Sequence, residues 1–169
     1  MTIPAPALIG LYWTHLLATI VWIGGLATLV LIVWPGLLRL DEGPVSTLLE
    51  RIEQRFRPLA NLSLAVLLVT GMLQMTANAN YAGLLLVTND WSIAMLLKHI
   101  VFGGMVIVTL VIQLGVLPNL ARARLQIKAN PEAGQAEEQR QRSRLRQLTT
   151  LNLALGVLVL FFTAALTVL

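Results

Sequence analysis

The chain has 169 residues, of which 57% are hydrophobic and only 12% charged, and its mean hydropathy is +0.78. An ordinary soluble domain carries about 25% charged residues, so a water-soluble fold of this length is excluded. The net charge of +4 would suggest nucleic acid in a soluble protein, but here the basic residues flank apolar runs and read as topology signals and lipid-headgroup contacts. There is no cysteine, which removes disulfides, thiolate metal sites, iron–sulfur clusters and thiol catalysis.

Four apolar runs, at 8–34, 59–79, 91–117 and 148–169, are each long enough to cross a hydrocarbon core of about 30 Å with some tilt. They predict an all-α integral membrane protein, a four-transmembrane-helix up-down bundle forming one membrane domain over 1–169. The N-terminal stretch lacks a basic region ahead of its apolar run, so the first span is expected to be retained rather than cleaved. Pro35, Pro58 and Pro118 are expected to punctuate span ends, and Trp13, Trp34 and Trp91 lie near them, where an indole prefers the interface.

Between the first two spans the sequence places Arg39, Arg51, Arg55 and Arg57. Between the last two it places Arg122, Arg124, Lys128, Arg140, Arg142, Arg144 and Arg146. The stretch 80–90 has no Lys or Arg. The positive-inside rule then puts the first and third loops in the cytoplasm and both termini outside, in a multi-pass protein of the inner cell membrane. The first loop carries Thr47-Leu-Leu-Glu50, a capping-box pattern, with Leu48, Leu49, Ile52 and Phe56 on one face. It predicts a short helical connector on the headgroups, with a lipid-sensing interfacial helix as the functional alternative. Asn130-Pro131-Glu-Ala-Gly134 divides the third loop into helical extensions of spans three and four around a tip. No internal repeat stands out beyond the alternation of helix directions.

No phosphate loop, paired-carboxylate site or Ser–His–Asp pattern is present, and no acidic side chain lies well inside a span. The candidates for chemistry are His15 and His99, about 10 and 12 Å below the outer boundary if each helix rises 1.5 Å per residue. Two imidazoles at one depth on parallel helices can ligate haem iron axially, giving haem b held by His15 and His99 for electron transfer or haem handling. Gly103, one turn after His99, and Trp22, two turns after His15, would belong to that pocket. Lys98 is the only basic residue within a span; it is a candidate ligand or propionate partner, or it snorkels to the headgroups. Met72, Met75 and Met95 with the histidines offer a soft site suited to Cu(I) instead. Gly24, Gly25, Gly71, Gly103 and Gly104 are expected to allow close helix approach, and Asn61, Gln74, Gln113 and Asn152 to hydrogen-bond between helices.

The segments His15-Leu-Leu-Ala-Thr-Ile-Val-Trp22-Ile-Gly-Gly25-Leu, Arg55-Phe-Arg-Pro-Leu-Ala60, Leu-Val-Thr-Gly71-Met, Leu96-Leu-Lys98 and Leu117-Pro-Asn-Leu-Ala-Arg122 resemble the membrane domain of the copper-resistance protein D (CopD) family. That resemblance implies an inner-membrane helical bundle linked to copper uptake or resistance. His15 and Lys98 also match, more distantly, the functional His and Lys of HemJ-type protoporphyrinogen oxidases, whose first-loop Pro-Arg-Leu and Tyr-His pattern is absent here. If the protein is an enzyme, this would make it a haem-dependent membrane oxidoreductase. A third reading is a non-catalytic accessory subunit or homodimer. Its uncharged fourth span, with Ala154, Gly156, Ala164 and Ala165, would meet a membrane partner.

Overall fold

The computed structural model describes residues 4–37, 42–78, 80, 81, 83, 86, 87 and 89–169, with side chains for all of these except 37 and 42–50. Arg39 and the side chains of Thr47, Leu48, Leu49 and Glu50 therefore lie outside the described residues. The described chain is helical, with no strand: α1 Ala5–Thr28, a π-helical segment Leu29–Val33, α2 Trp34–Leu37, α3 Glu42–Thr76, α4 Asp90–Val111, a second π-helical segment Ile112–Val116, α5 Leu117–Gln126 and α6 Pro131–Ala165. Four helical stretches are long and apolar enough to cross a membrane: Ala5–Gly36, Arg51–Thr76, Asp90–Gln126 and Pro131–Ala165. Large apolar side chains such as Ile9, Ile20, Leu62, Ile107 and Leu114 stand exposed along them, as lipid-facing residues do.

The helices overrun the apolar spans; Pro35 stands at the end of its span, as expected, whereas Pro58 and Pro118 do not end theirs. α3 starts at Glu42, so Thr47 sits inside a helix rather than capping one, and the first-loop helix is continuous with the second span. Pro58 is interior to α3. Pro35 and Pro118 each follow a π segment by two residues. A proline has no N–H, and its ring crowds the carbonyl four residues back, here that of Leu31 or Leu114. The backbone responds just before each proline with a longer bond, from Trp34 N–H to the Leu29 carbonyl and from Leu117 N–H to the Ile112 carbonyl. The extra residue of the π turn absorbs the conflict and the helix goes on.

A π turn is in effect one inserted residue. Deleting Leu31 or Leu114 is thus expected to convert the segment to ordinary α-helix and leave a folded protein. Deleting Leu17 in regular α1 would rotate everything on one side by about 100° and abolish monodisperse behaviour in detergent. Size-exclusion profiles of the three deletions check this, and equal damage from all three would refute it.

Two compact units are distinguished, Met1–Leu96 with Ala165–Leu169, and Leu97–Ala164. In the first, α1 and α3 run antiparallel. Gly25 meets Phe56 near one end, and Leu11 meets Gln74 near the other. Ala18, Trp22, Leu26 and Leu29 form the buried stripe of the first span, and Ala60, Ser63, Leu64, Thr70 and Met75 that of α3. A Cβ on Gly25 would overlap the Phe56 ring, whereas one on Gly71 would make only ordinary contact with His15 Cε1 at 3.6 Å, and Gly24 has nothing near it. Of the three glycines expected here to permit close packing, only Gly25 does so.

In the second unit, α5 turns into α6 through Asn130, whose Oδ1 accepts from Ala133 N at 3.3 Å ahead of Pro131. This is the expected break between helical extensions, built as an N-cap followed by proline. α6 buries Gly134, Gln141, Leu145, Thr149, Asn152 and Gly156. Asn152 Nδ2 donates to Thr109 Oγ1 at 3.0 Å, an interhelical hydrogen bond of the kind expected for this residue.

The helix and π boundaries also expose a duplication. Leu31, Val33, Pro35, Leu37 and Arg39 around the first π segment recur as Leu114, Val116, Pro118, Leu120 and Arg122 around the second. On the helices that follow, Arg55, Arg57, Leu59, Leu62, Leu64 and Ala65 of α3 recur with the same spacing as Arg144, Arg146, Leu148, Leu151, Leu153 and Ala154 of α6. The intervening buried positions correspond too, Ala60 to Thr149 and Ser63 to Asn152. The chain thus repeats one pattern: a long helix, a π turn, a proline, a basic stretch and a returning helix.

Candidate metal-binding residues

His15 is held by the α1–α3 hairpin. Its Nδ1 lies 2.7 Å from Thr70 Oγ1, and the direction of that bond follows from the hydroxyl's other contacts. Thr70 has a single hydroxyl proton, which it gives to the Val66 carbonyl at 2.6 Å, with the Leu67 carbonyl farther off at 3.5 Å. Toward the imidazole, Oγ1 can then only accept, so Nδ1 carries the proton. In the neutral ring this makes Nε2 the lone-pair nitrogen, the one that binds a metal. A second-side-chain bond that fixes tautomer and ring orientation is the usual support of a metal-ligating histidine.

Thr19 Oγ1 donates to the His15 carbonyl at 2.8 Å, and Gln74 Nε2 to the Leu11 carbonyl at 3.4 Å. These bonds tie the same stretch of α1 to itself and to α3. Met75 follows Gly71, the residue facing His15 Cε1, by one turn of α3, about 6 Å, and is almost fully buried. Met72 is 45% exposed.

Trp22 is 2% exposed, and its Nε1 has no hydrogen-bond partner among the described residues. It is a core residue of the α1–α3 unit, two turns from His15. On α4, Met95, Lys98 and His99 are half-buried. Gly103 has open space where a Cβ would stand, and Gly104 makes only ordinary contact with Leu155 Cδ1 at 3.8 Å, so neither of these two glycines is needed for helix packing. Among the described residues, no three His, Cys, Asp or Glu side chains come together in a way that could hold a metal. An imidazole and a thioether, the donor types His15 and Met75 offer, suit a soft monovalent ion rather than a closed zinc-type site.

Thr70 is the residue that the sequence pattern missed. It stands inside Leu-Val-Thr-Gly71-Met, and a threonine within a span reads as a neutral packing residue until the helix register is known.

A family model described as Copper resistance protein D matches residues 50–166, most of the chain. The chain belongs to this family. The match takes in α3 from its first basic stretch, α4, α5 and α6, and so Thr70, Met72, Met75, Met95, Lys98, His99 and Gly103. His15 and Trp22 precede it. No curated protein and no solved structure matches the chain. Membership identifies a copper-resistance-related, multi-pass membrane protein.

Proposed function

We propose that this CopD-family protein binds copper as Cu(I) cargo within the bilayer and passes it along the α1–α3 hairpin. Met75 is the outer ligand and His15 the inner one. The observation that carries this reading is the His15–Thr70 bond, which puts the imidazole proton on Nδ1 and the lone pair on Nε2. The family match supports copper as the cargo. Soft thioether and imidazole donors favour Cu(I) over harder ions, and a sparse donor set suits an ion that must leave again.

His99, Lys98 and Met95 on α4 are proposed as the second group of candidate ligands, because His99 lies at the depth of His15 in the sequence reading. With the termini outside, both groups lie in the outer half of the membrane.

Copper and iron content, measured on protein purified in mild detergent, tests the proposal together with a visible spectrum. The expected result is copper uptake in competition with a chromophoric Cu(I) chelator, reduced at least tenfold in affinity by His15→Ala, and no Soret band. Iron with a reducible Soret band, lost in His15→Ala and in His99→Ala, would replace it with the haem b reading. Absence of both metals after loading would refute both.

A further inference from the structure

The duplicated pattern places an Arg-x-Arg pair at one position twice: Arg55 and Arg57 at the start of the apolar part of α3, Arg144 and Arg146 at the start of the apolar part of α6. All four side chains are exposed. On α6, the Glu137 and Glu138 carboxylates are committed elsewhere. Glu138 takes Arg142 at 2.6 Å and Arg124 at 3.4 Å, and Glu137 accepts from Gln141 Nε2 at 2.7 Å and lies 3.9 Å from Arg140. Among the described residues, none of the four arginines of the two pairs forms a salt bridge. The second unit thus neutralises Arg124 and Arg142 internally, and among the described residues Arg144 and Arg146 have no counter-charge.

Directly beyond each pair the helix presents apolar side chains outward. Leu59 is 54% exposed and Leu62 63% on α3, and Leu151 is 47% exposed on α6. Two residues apart on a helix, the arms of a pair leave about 200° from one another. Each pair therefore flanks its helix on both sides, at the level where apolar surface begins. Charge and apolar surface in that order match a phospholipid, phosphate first and acyl chain next. A free phosphate would find only the first half.

We propose that the two Arg-x-Arg pairs form a repeated binding surface for anionic phospholipids, one pair in each unit, with guanidinium groups on lipid phosphates and acyl chains along Leu59, Leu62 and Leu151. Guanidinium binds phosphate through paired N–H donors, which ammonium cannot reproduce. The proposed surface uses neither His15 nor Thr70, and its test does not depend on copper.

The test uses full-length protein in neutral detergent and lipid binding by native mass spectrometry, with phosphatidylglycerol against phosphatidylcholine. The wild type is expected to prefer phosphatidylglycerol. Each double variant, Arg55→Gln/Arg57→Gln and Arg144→Gln/Arg146→Gln, is expected to reduce that preference on the order of tenfold, as the loss of two interfacial cations should. Because these arginines also set topology, Arg→Lys versions keep the charge and insertion. They should retain part of the preference but hold fewer lipids at high collision energy. Inorganic phosphate should compete poorly. Unchanged phosphatidylglycerol preference in both Gln variants would overturn the proposal, as would lysine versions indistinguishable from wild type. Displacement of the lipid by millimolar phosphate would overturn it as well, by showing a free-anion site.

Discussion

Thr70→Val is expected to lower Cu(I) affinity by 10–100-fold, the usual cost of losing the partner that orients a metal-ligating histidine. Valine matches threonine in shape but accepts no hydrogen bond. In the variant, the His15 Nδ1–H loses the oxygen 2.7 Å away. Inside a bilayer no water replaces it. The ring then gains by moving its proton to Nε2 or rotating toward a backbone carbonyl, and either change withdraws the ligating lone pair. Part of the cost falls on stability as well, about 1–3 kcal/mol for a buried donor left unsatisfied. Thr70→Ser separates the two effects, because serine keeps the hydroxyl and can still bond the Val66 carbonyl. Expected affinities run wild type, then Thr70→Ser close behind, then Thr70→Val, then His15→Ala. A Thr70→Val protein that binds Cu(I) like wild type would show that the bond is packing alone.

The sequence made the four spans legible because lipid imposes a simple rule: about twenty apolar residues without charge make a helix. It also showed where α5 gives way to α6, since Asn130-Pro131 is a start signal in any solvent. Pro35 does mark a span end, but Pro58 and Pro118 do not, for a physical reason. In water a proline commonly ends a helix, because the displaced carbonyl can turn to solvent. In lipid that carbonyl has nowhere else to bond, so the backbone inserts a π turn at Leu29–Val33 and Ile112–Val116 and continues. The capping box at Thr47-Leu-Leu-Glu50 failed similarly, since the pattern specifies a start only where the chain ahead of it is not already helical. The repeat is faint in the sequence because most of its matches are leucine and alanine, which recur by chance in any span. Its informative members, Pro35 with Pro118 and the two Arg-x-Arg pairs, fit span ends and topology signals equally well. Thr70 was invisible for a different reason. Which α3 residue meets His15 depends on the register of two helices more than fifty residues apart, and no local pattern encodes that.

Gly134→Ala is expected to destabilise the second unit strongly, and Gly103→Ala to have the opposite sign. A Cβ on Gly134 would stand 2.6 Å from the Ile127 backbone nitrogen and 2.7 Å from its Cα. These are backbone atoms, which cannot swing aside as a side chain can. Ile127 is held by its N–H bond to the Ala123 carbonyl at 3.1 Å, and Gly134 N–H by the Asn130 carbonyl at 3.0 Å. Relief therefore requires the whole turn between α5 and α6 to open. Opening it slides α6 against the helix it pairs with and strains two contacts farther along, Arg124 with Glu138 and Asn152 with Thr109. Overpacking of a rigid site costs about 1–3 kcal/mol, and loss of a buried Asn–Thr bond adds about 1 kcal/mol more. At Gly103 nothing lies within 4 Å of the added Cβ. There, alanine should stabilise the helix by about 0.5–1 kcal/mol through the lost freedom of the unfolded chain. Thermal unfolding in one detergent, followed for both variants, gives the comparison. A large fall for Gly134→Ala beside a small rise for Gly103→Ala is expected. Equal melting temperatures for the two would mean that the α5–α6 turn yields freely, and that the buried stripe of α6 is not set by its first glycine.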